Sequence, residues 1–163
     1  MESVNMKRSI KAVIDTQIFI KSWFANKYGY CDQILDLIDQ GTIRPVFSQD
    51  TIGELMLITK NFAYHVIEDK ENRLEILQNL ARMFLDAISV NTQDTIGSKL
   101  KDETDEMFLK AAIKGKADFL ISDDFRSGLH QIDLEGIRIV SSEEFISIYQ
   151  EMCESKQARI LAI

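Results

Sequence analysis

Acidic residues recur in this chain at the points where an alternating strand–helix sequence turns from one element to the next. They are Asp15, Glu54, Asp105 and Asp124. The densest stretch is DETDEMFLKAAIKGKADFLISDD, from Asp102 to Asp124. Asp105 falls in the first turn of a helical pattern, where the helix dipole tolerates negative charge. A short apolar strand, Ala117 to Ile121, then runs out at Ser122-Asp123-Asp124. Carboxylates gathered in one cleft repel one another and tend to protonate unless a cation is present. Oxygen-only ligation suits Mg²⁺ or Mn²⁺, which bind through a few carboxylates plus water and substrate phosphate. Such a site polarises a phosphodiester, acidifies a coordinated water and stabilises the leaving oxygen, and two ions would clamp both ends. Taken singly, each acid has a plainer reading. Asp15, followed by Thr16, either N-caps the next helix or serves as a ligand. Glu54 is either a solvated helix residue or a ligand just past a strand. Cysteine nucleophile, Ser-His-Asp set and glycine-rich phosphate loop are all missing as competing signals.

Positioning these groups requires strands that end together. Ile10–Ile14 is a β-rich run with Asp15 at its carboxyl end, followed by a helix-compatible segment through Trp23-Phe24. Tyr30–Gln40 is amphipathic and Gly41 stands just after it. Ile43–Ser48 is a second strand, with Pro45 favouring an edge or strand-start position, and a helix begins near Gln49 or Asp50. Asn61 to Phe84 reads as two helices, the second from Asp69, and Ala87–Val90 as a third strand. The helix after Asp105 closes at Gly115. Gly136–Val140 is a last strand, and Ser141-Ser142-Glu143-Glu144 starts a final helix that runs through Tyr149. Strands and helices alternate with connections long enough for parallel pairing, so the expected class is α/β. Right-handed connections would bring the acid-bearing ends into one cleft.

Composition bounds the function. The 163 residues fit one domain, with 45% hydrophobic and 28% charged residues. A net charge of −7 excludes a molecule that binds nucleic acid by overall positive charge. A local basic rim remains open as an alternative. Lys101, Lys110, Lys114 and Arg126, with Lys99 and Lys116, lie near the acids in sequence and are candidates for phosphate contact or simply solvated surface groups. Cys31 and Cys153 lack zinc spacing and read as free thiols. With neither a signal-peptide pattern nor a membrane-length apolar run, the expectation is a cytoplasmic protein that does not enter a membrane. His65 and His130 have no orienting neighbour in sequence and read as packing or surface residues.

The ordered motifs AVIDTQIF, FSQDTIGEL, DETDEMFLKAA, ADFLISDD and GIRIVSSEEF resemble the PIN-domain family, more narrowly the bacterial PIN-type toxin components of toxin–antitoxin systems. The resemblance extends from about Lys11 to Tyr149. It implies a three-layer α/β/α sandwich with a central, mainly parallel sheet, spanning residues 1–150, and leaves 151–163 as a tail or helix extension. It also implies a Mg²⁺- or Mn²⁺-dependent ribonuclease site for single-stranded RNA. The family's four acids fall on Asp15, Glu54, Asp105 and Asp124, as metal-holding and catalytic residues. Thr16 and Ser122 support them, Asp102 is an outer candidate, and Asp123 is the registry alternative for the fourth acid. Gln17 stands where the family very often has Asn. A cognate antitoxin and a homodimer or higher homo-oligomer are further implications. The rival expectations are a non-catalytic PIN-fold module that binds RNA or protein, and a metal-dependent phosphatase or DNA nuclease.

Overall fold

The computed structural model of the chain describes residues 8–97 and 103–162. In chain order its elements are β1 (Ile10–Ile14), α1 (Thr16–Phe24), α2 (Tyr30–Asp39), β2 (Ile43–Ser48), α3 (Gln49–Val66), α4 (Lys70–Asp86), β3 (Ile88–Val90), α5 (Glu103–Gly115), β4 (Phe119–Ile121), β5 (Arg138–Val140) and α6 (Ser142–Leu161). Among the described residues the strands form one five-stranded sheet in the order β3-β2-β1-β4-β5, and each neighbouring pair is parallel. The protein is an α/β sandwich of three layers. The strand–helix alternation predicts the α/β class, and the layered sandwich is what the family resemblance implies.

The central strands are apolar on both faces because both faces are covered. Side chains alternate across a strand, so Ala12, Ile14, Ile43, Phe47, Phe119, Ile121 and Val140 enter one core. There they meet Ile18 and Phe19 of α1, Ile34 of α2, Leu55 of α3, Leu80 of α4 and Phe145 of α6. Val13, Val46 and Leu120 point the other way, onto Phe108, Leu109, Ala111 and Ala112 of α5. The split follows from handedness. Right-handed connections that step from β1 to β3 must lie on one face, and the return past β1 to β4 must lie on the other.

Two local expectations, on Asn61–Val66 and on Gly115, need correction. Asn61–Val66 is not a separate helix but the last part of α3, whose buried residues Thr51, Leu55, Thr59 and Ala63 continue one i, i+4 stripe without a breaker. The final helix runs past Tyr149 to Leu161 through good helix formers, which is the helix-extension alternative for these residues. Gly115 is not the residue that turns the chain out of α5. Lys116 takes the left-handed conformation, at φ 47°, and the Ala117 N–H reaches back to the Ala112 carbonyl at 3.0 Å.

Gly115 instead sets the helix–sheet distance, since a Cβ there would stand 2.5 Å from Val46 Cγ1 of β2. Gly115→Ala is therefore expected to destabilise the fold by about 1–3 kcal/mol, the usual cost of overpacking. The double variant Gly115→Ala/Val46→Ala should not add the two single costs, because the second change removes the clash made by the first. Urea unfolding checks this, and a Gly115→Ala chain as stable as the wild type would refute the close-approach role.

Candidate metal centre

Every strand ends at the same edge of the sheet, and the strand order changes direction between β1 and β4. Connections leaving two such strands run to opposite faces and open a crevice between them. Asp15 follows β1 and Ser122-Asp123-Asp124 follow β4, so these residues stand at that crevice.

Asp15 is 5% exposed, and its backbone N–H donates to the Ile121 carbonyl at 2.9 Å. Its Oδ1 accepts the Gln17 N–H at 3.2 Å, and its Oδ2 accepts the Ser122 hydroxyl at 2.6 Å. Asp15 thus does N-cap α1. The cap leaves lone pairs on both oxygens, so capping and ligation are compatible. The contact from residue 17 comes from its backbone, so the cap does not depend on whether that side chain is Gln or Asn. Burial pushes the Asp15 carboxyl above its ordinary range. The Ser122 hydroxyl and Gln17 N–H oppose this without cancelling it, and the Asp124 and Asp123 charges add to the rise.

Ser122 is fully buried and couples the two strand ends, because its Oγ also accepts the Asp124 N–H at 3.1 Å. Asp124 Oδ1 accepts the Arg126 N–H at 2.8 Å, which folds the loop tightly around that acid. Asp123 has a different occupation. It accepts the Ser142 N–H at 2.8 Å and the Ser142 hydroxyl at 2.9 Å, anchoring the start of α6, and its Oδ2 lies 3.6 Å from Lys21 Nζ. Cys31 Sγ approaches the same oxygen at 3.9 Å, and burial followed by the Asp123 charge pushes this thiol up, away from nucleophilic use.

Asp105 is buried in the first turn of α5, and α5 packs across β1, β2, β3 and β4. The helix runs antiparallel to the strands. Its first turn is therefore at the carboxyl edge, while Lys11 Nζ, on β1, meets the Gly115 carbonyl at 3.4 Å at the amino edge. Glu54 is half-buried in the second turn of α3, beside buried Leu55. Thr16 is buried at the first position of α1. Among the basic candidates, Arg126 is exposed and adjoins the site, and Lys110 is half-buried midway along α5. Lys114 lies nine residues beyond Asp105, roughly 13 Å along the helix axis and toward the opposite edge. Lys99, Lys101 and Asp102 lie outside the described residues. Lys21 gave no sequence signal; six residues past Asp15, it reaches the site only because α1 folds beside the β4 loop.

Among the described residues no three Asp, Glu, His or Cys side chains form a closed metal cluster. The donor chemistry still fits Mg²⁺ or Mn²⁺, which bind through one or two carboxylates with water and phosphate rather than in an all-protein cage. A cation would also relieve the repulsion felt by buried Asp15. A cavity of about 620 Å³ lined by Trp23, Leu35, Arg44 and Met83 opens toward the start of β2 and contains none of the four acids. Among the described residues no helix is long and apolar enough to cross a membrane.

Fold and site together define an α/β protein with carboxylates collected at the switch point of a parallel sheet. The profile of a family described as PIN domain matches residues 11–126, a span that includes all four acids, and the chain belongs to the PIN-domain family. A search of curated proteins finds no match. A solved structure described as "Crystal structure of VapBC2 from Rickettsia felis bound to a DNA fragment from their promoter" contains a similar chain. The two are 13% identical over 81% of this chain and 98% of that one, with a TM-score of 0.50, a likeness of fold.

The raised Asp15 carboxyl fixes the sign of a stability test. Its contribution is present below the unfolded-state value and is lost as pH rises through the higher folded-state value, so at neutral pH the buried anion destabilises the metal-free protein. Asp15→Asn is expected to melt above the wild type at pH 7 in EDTA, with the gap closing toward pH 4. Each kcal/mol corresponds to about 2–4 °C for a chain of this size. A variant that melts lower at pH 7 and equally at pH 4 would contradict the assignment.

Proposed function

We propose that this chain is a Mg²⁺- or Mn²⁺-dependent endoribonuclease that hydrolyses phosphodiester bonds of single-stranded RNA, and that it is the toxin of a toxin–antitoxin pair. The observation that carries this reading is Asp15, a buried carboxylate held by Ser122 beside Asp124 at the sheet's switch point. Such a carboxylate is costly as an anion unless a cation accompanies it. Membership of the PIN-domain family supports nuclease chemistry.

Asp15, Glu54, Asp105 and Asp124 would hold the cation. When bound, it polarises the phosphodiester and acidifies water. Ser122 keeps Asp15 oriented toward the crevice, and Thr16, buried at the first position of α1, follows it in the chain as a supporting group. Asp123 keeps α6 and Lys21 against the loop. Arg126 and Lys110 supply positive charge for phosphates that flank the reacting one; Lys114 serves phosphates further along, if RNA continues over α5. The antitoxin partner is extended to this chain from the VapBC2 complex, whose chain shares the fold. A homodimeric or higher assembly follows from the family resemblance, and a cytoplasmic location from the sequence, not from that complex.

The test is cleavage of a mixed single-stranded RNA with Mn²⁺ and with EDTA. Activity is expected only with metal. Asp15→Asn and Asp105→Asn should each lose more than about 100-fold, beyond the 10–100-fold typical of removing an outer-shell partner, and Ser122→Ala should fall within that range. Equal cutting by wild type and both acid variants would contradict the site.

A further inference from the structure

The loop after β4 carries an aromatic group that the proposed chemistry leaves unused. Phe125 directly follows Asp124 and is 62% exposed, although burial is the ordinary fate of a phenyl ring. Its ring is not loose. It stacks on His130 with centroids 4.4 Å apart and an interplanar angle of 23°. His130 is in turn fixed by a hydrogen bond from Nε2 to the Ser122 carbonyl at 2.8 Å. A carbonyl only accepts, so Nε2 is the donor in this contact.

The rest of the loop reinforces this posture. Ser127 Oγ donates to the Asp124 carbonyl at 3.4 Å and accepts the Leu129 N–H at 3.3 Å. Gly128 turns the chain at φ 90°, and Leu129 is fully buried in the core beneath. One face of Phe125 is thus covered by a pinned imidazole, and the high exposure leaves the other face to solvent. The ring belongs to the residue after Asp124, about 3.8 Å away between Cα atoms, with the Arg126 cation next in sequence.

We propose that the stacked Phe125–His130 pair is a platform for one base of a single-stranded RNA, set beside the acid that faces the reacting phosphate. This rests on the nuclease reading and adds to it the group that holds the nucleotide. An aromatic face backed by a second ring is rigid, and it accepts any base because every base presents a π-face. Such a platform favours unpaired RNA, whose bases are free to splay outward. The pair then makes the site tolerant of sequence but selective against duplex.

Binding of the full chain to a labelled single-stranded RNA oligomer, with Ca²⁺ in place of Mn²⁺, tests this by fluorescence anisotropy. A matched series with one abasic nucleotide at successive positions locates the stacked base. Phe125→Leu is expected to weaken binding about 5- to 150-fold, the range for loss of one base–aromatic stack. It should also be indifferent to the abasic position that weakens the wild type, because the two changes remove the same contact. Phe125→Trp should restore affinity. His130→Gln, which keeps a donor for the Ser122 carbonyl and removes the ring, should fall between wild type and Phe125→Leu. Undiminished binding by a folded Phe125→Leu that still cleaves RNA would overturn the platform and leave the nuclease reading standing. A wild type that binds Mn²⁺ through Asp15 yet binds no single-stranded RNA would overturn the platform together with the choice of substrate.

Discussion

The Ser122–Asp15 hydrogen bond, at 2.6 Å, ties the ends of the two strands between which the sheet changes direction. Neither residue can be altered without consequence for the other elements. Asp15 opens α1 through the Gln17 N–H and is itself held by the Ile121 carbonyl. Ser122 carries the Asp124 N–H on the same hydroxyl that serves Asp15. One short side chain therefore fixes the spacing of two acids that would otherwise separate by mutual repulsion.

Holding them there works against folding. The buried carboxylate of Asp15 is an unfavourable anion in the metal-free chain, and the apolar cores on the two sheet faces must offset it. The neighbouring acid shows the opposite use of the same chemistry. Asp123 is placed on the α6 N-terminus and against Lys21, where its charge is matched by the Ser142 N–H, the Ser142 hydroxyl and a cation. Adjacent residues with identical side chains thus do different work, one holding a helix in place and the other left near the crevice.

That division could not be read from the sequence, where Asp123 and Asp124 differ only by register. What could be read were the features set by local periodicity: the apolar runs at Ile10–Ile14 and Ile43–Ser48, the amphipathic helix from Tyr30, and the capping box of Ser141 and Glu144. The acids were visible because each follows a strand or opens a helix. The continuation of α3 through Asn61 was hidden because a shallow stripe of Thr59 and Ala63 looks like a break when only large apolar residues are counted. Gly115 gave a C-cap signal, but its need is tertiary, the approach of Val46 from another strand. His130 was set aside for want of a nearby partner. Its partners are the Ser122 carbonyl, eight residues back, and the ring of Phe125, and only the folded loop brings them together.

The most direct test of the claim that Asp15 and Asp124, rather than Asp123, form the cation site is Mn²⁺ binding followed by calorimetry. Binding by the wild type, lost in Asp15→Asn and Asp124→Asn and retained in Asp123→Asn, is the expected result. Wild-type affinity in Asp15→Asn, or loss confined to Asp123→Asn, would contradict it.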